Sequence, residues 1–168
     1  MDLDIYCKRL QVKVAYHSQM MDPYHDAFIE AIGDLKTKSP RIPMISTVTG
    51  RPVDGQELKP AYWWENIRSP VLFEAACAHL PDTPNQFLIQ LGPHPVLSFA
   101  LSENLAHYDR AGIALSSLQR GHDEREMMLK TLAQCYVHGQ RISWEQVFNK
   151  PYTPVQLPSY PWQKERFW

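Results

Sequence analysis

Residues 86–118 read QFLIQLGPHPVLSFALSENLAHYDRAGIALSSL, and the fold turns on how they are parsed. Gln86 to Leu91 is a short apolar run closed by Gly92-Pro93, the pattern of a buried strand followed by a turn. Pro95 opens a helix whose apolar positions Leu97, Leu101 and Leu105 recur every four residues. Ile113 to Leu118 forms the next strand. Strand, helix and strand in this order argue for an α/β layer built on a mainly parallel sheet.

The same alternation extends outward from this unit. Upstream, Leu10, Val12, Val14 and Tyr16 alternate as in a strand. Asp22-Pro23 then reads as an N-cap with proline in the first turn, and Tyr24, Phe28, Ile32 and Leu35 place an amphipathic helix over 22–36. Met44 to Thr49 is rich in β-branched residues and closed by Gly50-Arg51-Pro52, giving a strand and a turn. Pro60 opens a helical stretch that Pro70 interrupts, because its ring removes a donor and clashes with the preceding turn. The helix is expected to resume as far as Leu80, before Pro81. Downstream, Asp123 with Glu126 resembles a capping box for a helix through Met128, Leu132 and Tyr136, with Gly139 as terminator.

Residues 140–168 differ in character. Ile142-Ser143-Trp144 reads as a short strand or turn, after which Pro151, Pro154, Pro158 and Pro161 keep the chain extended. Tyr152, Tyr160, Trp162, Phe167 and Trp168 lie in the same stretch. A freely disordered linker carries few such rings, so this tail is expected to pack along a surface of its own chain or of a partner.

Composition removes several functions. The 168 residues carry a formal net charge of −1, which gives no basic excess for binding nucleic acid. No apolar run approaches a membrane span, and the N-terminus lacks a signal-peptide layout, which points to the cytoplasm. The three cysteines, Cys7, Cys77 and Cys135, are far apart and odd in number, so they read as small buried residues rather than a disulfide framework. The seven histidines show neither His-x-x-x-His nor His-Glu-x-x-His spacing, and no metal site is expected.

Five segments carry the chemistry: Val14-Ala15-Tyr16-His17-Ser18, Ser46-Thr47-Val48-Thr49-Gly50, the run from Tyr62 to Val71, Leu91 to Leu97, and the closing Leu157 to Gln163. Together and in this order they resemble the acyltransferase domains of modular polyketide synthases, and more distantly the malonyl-CoA:acyl-carrier-protein transacylases. The resemblance implies the C-terminal part of such a domain over 1–139 and a post-acyltransferase linker over 140–168. The implied fold is α/β: a partial hydrolase-like layer with flanking helices, the last strand of a ferredoxin-like subdomain near 8–16, and an extended proline- and aromatic-rich linker.

The implied activity moves a malonyl-type acyl group from coenzyme A to a serine, then to the phosphopantetheine thiol of an acyl carrier protein. No cofactor is expected to be bound by this chain. The resemblance makes His17 the general base, a role suited to an imidazole that can take and return a proton near neutral pH. It assigns the backbone carbonyl of Asn66 to hold the other ring nitrogen, in place of a triad carboxylate. Ala15 and Tyr16 fall in the family's extender-selecting motif, where a bulky aromatic accompanies malonyl and a small serine leaves room for an α-methyl. Val14 departs from the histidine usual at the head of the malonyl form. His94 reads as part of a strand-to-helix turn, and Trp63 and Trp64 as packing for the loop that bears Asn66.

No Gly-x-Ser-x-Gly elbow occurs in the chain. The resemblance places the nucleophile, the oxyanion hole and the carboxylate-binding arginine upstream, so this chain alone is expected to be inactive. The expected partners are the upstream half of the acyltransferase domain, the acyl carrier protein and, through the linker, a ketosynthase domain. A rival reading makes the chain a non-catalytic docking module derived from an acyltransferase. Retention of His17 and of the loop to Asn66, which such a remnant does not need, favours the catalytic reading.

Overall fold

The computed structural model describes residues 14–148 and 155–166. Its organising unit is the one expected from residues 86–118. Strand β3 (Gln86–Gln90) runs parallel to β4 (Gly112–Ser116), in register from Gln86 opposite Gly112 to Gln90 opposite Ser116. Helix α4 (Ser98–His107) connects them and buries Leu101 and Leu105. Gly112 is required by the pairing, since a Cβ there would lie 2.7 Å from the Gln86 carbonyl oxygen. Helix α4 begins three residues after Pro95. The delay has a cause in Gln90, whose side chain spans the turn: its Nε2 donates to the His94 carbonyl at 2.7 Å, and its Oε1 accepts from the Leu97 amide at 2.8 Å. His94 thus belongs to a turn held through its backbone.

The remaining elements lie around this unit. Helix α1 spans His25–Ile32, the hairpin strands β1 and β2 span Ile45–Ser46 and Arg51–Pro52, and α2 and α3 span Pro60–Arg68 and Phe73–Ala78. Helix α5 (Glu124–Val137) is joined to β4 through Thr131, whose hydroxyl donates to the Ser116 carbonyl at 2.6 Å. Arg110 ties β4 to the C-terminus of α3 by donating to the carbonyls of Cys77 (2.6 Å) and Ala78 (2.9 Å). The Cys77 carbonyl also accepts from the Leu80 amide at 3.1 Å, and a cation at this helix end complements the helix dipole.

Several expectations need correcting. The described strands form two separate two-stranded sheets, the parallel pair β3–β4 and the shorter antiparallel pair β1–β2. The strand expected over 10–16 lies outside the described residues up to 13, and residues 14–18 form a turn. Ser18 explains that turn, because its hydroxyl donates back to the Ala15 carbonyl at 2.7 Å. Ser18, rather than Asp22, is also the N-cap of the next element, a 3-10 helix over Gln19–Tyr24 that leads into α1. Helix α1 stops at Ile32 rather than 36, since Gly33 turns to a φ of 61°. Extended pairing after Met44 covers only Ile45–Ser46, because the Ser46 side chain accepts from the Val48 amide (3.0 Å) and curls the chain. Of the strand or turn expected over Ile142–Trp144, the structure shows one helical turn, α6, that starts at Trp144 and runs to Val147.

The proline break between α2 and α3 is where the sequence puts it. Asp123 caps α5 by accepting from the Glu126 amide at 2.8 Å, while Glu126 pairs with Lys130 at 2.7 Å. The reciprocal capping box is elsewhere, at Asp54 and Glu57, around the 3-10 turn Gly55–Glu57. Residues 155–166 are extended and exposed, with Leu157 and Trp162 each more than three-quarters exposed. At the start of the tail, by contrast, the Trp144 ring packs edge-on against Tyr136 of α5 at 5.1 Å.

Candidate functional site

Two loops and one helix end converge on His17. The helix is α2, started by Pro60 at its first turn and stopped by Pro70. A proline disfavours helical backbone at the residue before it, and Ser69 accordingly sits at φ −85°, ψ 159°. Its carbonyl is thereby turned out of the helix. The Nδ1 of His17 donates to that carbonyl at 2.8 Å, and the His17 backbone amide donates to the Ile67 carbonyl at 2.8 Å. A carbonyl oxygen can only accept, so Nδ1 carries the proton in the neutral ring and Nε2 keeps its lone pair. Among the described residues Nε2 has no partner.

This corrects the sequence reading at one atom. The anchor for the ring is the carbonyl of Ser69, not of Asn66. Pro70 cannot donate to the Asn66 carbonyl four residues earlier. The stronger effect of Pro70 is on the residue just before it. Asn66 instead lines the same cleft as His17, together with Tyr16, Thr47, Val48, Glu65, Ile67, Ser69, Pro70 and Val71. The cleft is open and holds about 390 Å³. Tyr16 lies at its edge, half exposed, with its ring 6.5 Å from that of His17. Ala15 does not line the cleft; its carbonyl is taken up by Ser18.

His17 has a φ of 61°, in the left-handed region that non-glycine residues seldom occupy. Strained backbone of this kind persists where neighbours over-determine it. Here the Ile67 and Ser69 carbonyls hold the His17 amide and ring, and Arg68 between them pairs with Asp22 from Nε, reinforced by Nη2 at 3.4 Å. The carboxylate holds the Arg68 guanidinium above its usual pKa range.

The opposite wall is set by Ser46, the most buried side chain described, at 1% exposure. Its hydroxyl meets the Tyr62 hydroxyl at 2.7 Å and the amides of Val48 (3.0 Å) and Thr49 (3.4 Å). The Thr47 carbonyl accepts from the Leu72 amide at 2.7 Å, tying this wall to the segment after Pro70. Trp64 is buried against His25 and Phe28, and the Trp63 indole donates to the Leu58 carbonyl at 3.1 Å, so both act as packing. Glu65 also reaches the site, accepting from the Ser69 hydroxyl. Sequence reasoning assigned no role to Ser69 or Glu65; the only signal for either was proximity to Pro70.

No metal-binding group of three or more ligands occurs among the described residues, and no helix described is long and apolar enough to cross a membrane. Burial pushes the Cys77 thiol up, as befits a packing residue.

A family model described as "Acyl transferase domain" matches residues 3–142. The chain belongs to the acyl transferase domain family. It is 35% identical over 167 residues to polyketide synthase GfsA of Streptomyces halstedii, covering 98% of this chain and 2% of that protein. It is 33% identical over 168 residues to erythronolide synthase EryA3 of Saccharopolyspora erythraea, covering 99% of this chain and 5% of that protein. The acyltransferase domain from module 8 of the salinomycin polyketide synthase superposes with a TM-score of 0.76 at 27% identity, over 82% of this chain and 33% of that one. The chain thus corresponds to an acyltransferase domain of polyketide synthases, and spans about a third of that solved acyltransferase and a small fraction of the synthases it matches.

Proposed function

We propose that this chain is the histidine-bearing part of a polyketide synthase acyltransferase that loads a malonyl-type extender unit onto an acyl carrier protein. The observation that carries the reading is the hydrogen bond from His17 Nδ1 to the Ser69 carbonyl. It fixes the tautomer and leaves Nε2 as the free base, beside a cleft able to admit an acyl thioester. In the proposed reaction Nε2 takes the proton of a serine supplied by upstream polypeptide as its oxygen attacks the thioester carbonyl. The imidazolium then protonates the departing coenzyme A thiolate. The second half-reaction repeats these steps with the carrier's phosphopantetheine thiol as nucleophile. Asn66 serves as part of the cleft wall. Tyr16 limits the room beside the acyl α-carbon and so favours malonyl over methylmalonyl.

An apolar groove of about 360 Å³ beside β3, lined by Phe73, Leu80, Leu88, Ile89, Leu91 and Leu101 among others, supports a partner for the other two-thirds of the domain. A parallel sheet needs cover on both faces, and upstream acyltransferase polypeptide is the proposed cover here. The family match ends at residue 142 and α5 ends at Val137, which supports a boundary near 139 with the linker beyond it. The exposed Val155, Leu157, Tyr160 and Trp162 suit that linker to contact with a ketosynthase domain.

The test is His17→Ala in the full synthase polypeptide. Self-acylation from malonyl-CoA is expected to slow by about two to four orders of magnitude, the usual worth of a positioned base. An unchanged rate removes His17 from the mechanism. The isolated 168-residue chain is expected to take up no acyl group at any serine.

A further inference from the structure

The strain at His17 and the order of groups along α2 point to a positioning role for two residues with no other evident task. We propose that Asp22 and Arg68 form a brace that sets the orientation of the His17 imidazole, an inference that rests on His17 being the base. The last two residues of α2 and its C-cap, Ser69, hold the turn that carries His17. Ile67 accepts from its backbone amide, Ser69 accepts from its ring, and Arg68, between them, reaches Asp22 five residues beyond the histidine. The first two contacts both act at His17 itself. Beyond them, Trp64 of α2 packs on His25 and Phe28 in α1, and Arg68 adds a directional contact within the intervening 3-10 turn itself, at Asp22.

The chemistry of the pair fits this task. Arginine presents a planar fork, and both Nε and Nη2 of Arg68 face the carboxylate of Asp22, one to each oxygen. A lysine at this position would keep the charge but lose the fork. The Arg68 side chain is only 25% exposed. His17 adopts a left-handed φ of 61° that it would leave if the turn relaxed. Any such relaxation moves the ring off the Ser69 carbonyl and releases the tautomer. Ser18 secures the turn internally through the Ala15 carbonyl, but reaches no part of α2. The side-chain hydrogen bonds that join the 3-10 turn to α2 are those of the ion pair.

The experiment is a mutant cycle in the full synthase polypeptide, reading the rate constant of self-acylation and the KM for the acyl-CoA. Arg68→Gln is expected to lower the rate constant by about 10- to 100-fold, the scale of a misplaced catalytic group. KM is expected to stay within about twofold, because neither residue of the pair lines the cleft. Arg68→Lys is expected to lie between the two. In a His17→Ala background Arg68→Gln is expected to have no further effect, since it acts through the imidazole. If Arg68→Gln fails to fold, Asp22→Asn carries the same expectation at a half-exposed site. An unchanged rate in either variant, or a loss that multiplies that of His17→Ala, overturns the proposal. Were His17→Ala itself as fast as the parent enzyme, the assignment of the base would fall first and the brace with it. A silent His17 and a silent Arg68 are thus told apart.

Discussion

Replacing Ser46 by alanine tests the cleft wall without any assay of activity. The Ser46 hydroxyl has two lone pairs and one proton. The amides of Val48 and Thr49 use the lone pairs, so the proton goes to the Tyr62 oxygen at 2.7 Å. Ser46→Ala removes all three contacts at a site 1% exposed, where water cannot replace them. One amide bond is short and one is long at 3.4 Å, so the loss amounts to about two full hydrogen bonds plus partial desolvation of their donors. That sums to roughly 2–4 kcal/mol. Tyr62→Phe removes one contact and leaves the amides satisfied, for about 0.5–1.5 kcal/mol. The double variant is expected to fall short of the sum by about 1 kcal/mol, because the two single changes break one shared bond. Urea unfolding followed by tryptophan fluorescence gives all three values, with the Trp63 ring 5.2 Å from that of Tyr62. If Ser46→Ala costs no more than Tyr62→Phe, the amides are not held by this hydroxyl and the account of the wall is wrong.

Pro70→Ala is expected to let α2 continue past Arg68 and withdraw the Ser69 carbonyl from His17. Acylation by the full enzyme should then drop by about 10-fold or more while the fold survives, read as activity against circular dichroism. Gly55→Ala is expected to destabilise by roughly 1–3 kcal/mol in urea unfolding, since its Cβ would lie 1.7 Å from the Lys38 carbonyl oxygen. Arg51 holds the Glu57 carboxyl below the ordinary 4.5, so this pair adds stability above that pH and loses it as pH falls through the lower folded value. Glu57→Gln is expected to flatten that part of the acid unfolding curve, a small effect because both groups are exposed, and an unaltered curve would count against the pairing. Tyr16→Ser in the full enzyme is expected to erode the preference for malonyl over methylmalonyl by about 1–3 kcal/mol or less, measured by competition kinetics.

What could be read from the sequence follows from how local the determining forces are. The strand–helix–strand unit at 86–118 was legible because apolar spacing and Gly-Pro punctuation act within a few residues. The break at Pro70 was legible for the same reason. The turn at 14–18 was not, since alternating Val14 and Tyr16 look like a strand until the Ser18 side chain and the contacts to α2 impose another path. His17 was singled out by the company of its motif, and its left-handed φ has no signature in its residue type. The Asp54–Glu57 box was present in the sequence, three residues apart, but it stands before no apolar run of helical period. The resemblance puts the anchoring carbonyl at Asn66. The backbone that proline forces on its predecessor led to Ser69 instead.

The hold on the imidazole is made by a peptide group, and every amino acid brings one. Substituting the residue at position 69 therefore changes a side chain without deleting the acceptor that the ring uses. The information that specifies the contact resides one place further on, in the ring of Pro70, which touches no atom of that hydrogen bond. A survey of natural variation should find the contacting position free to drift and its silent neighbour fixed, an inversion of the usual expectation that the residue nearest the chemistry is the one selection guards.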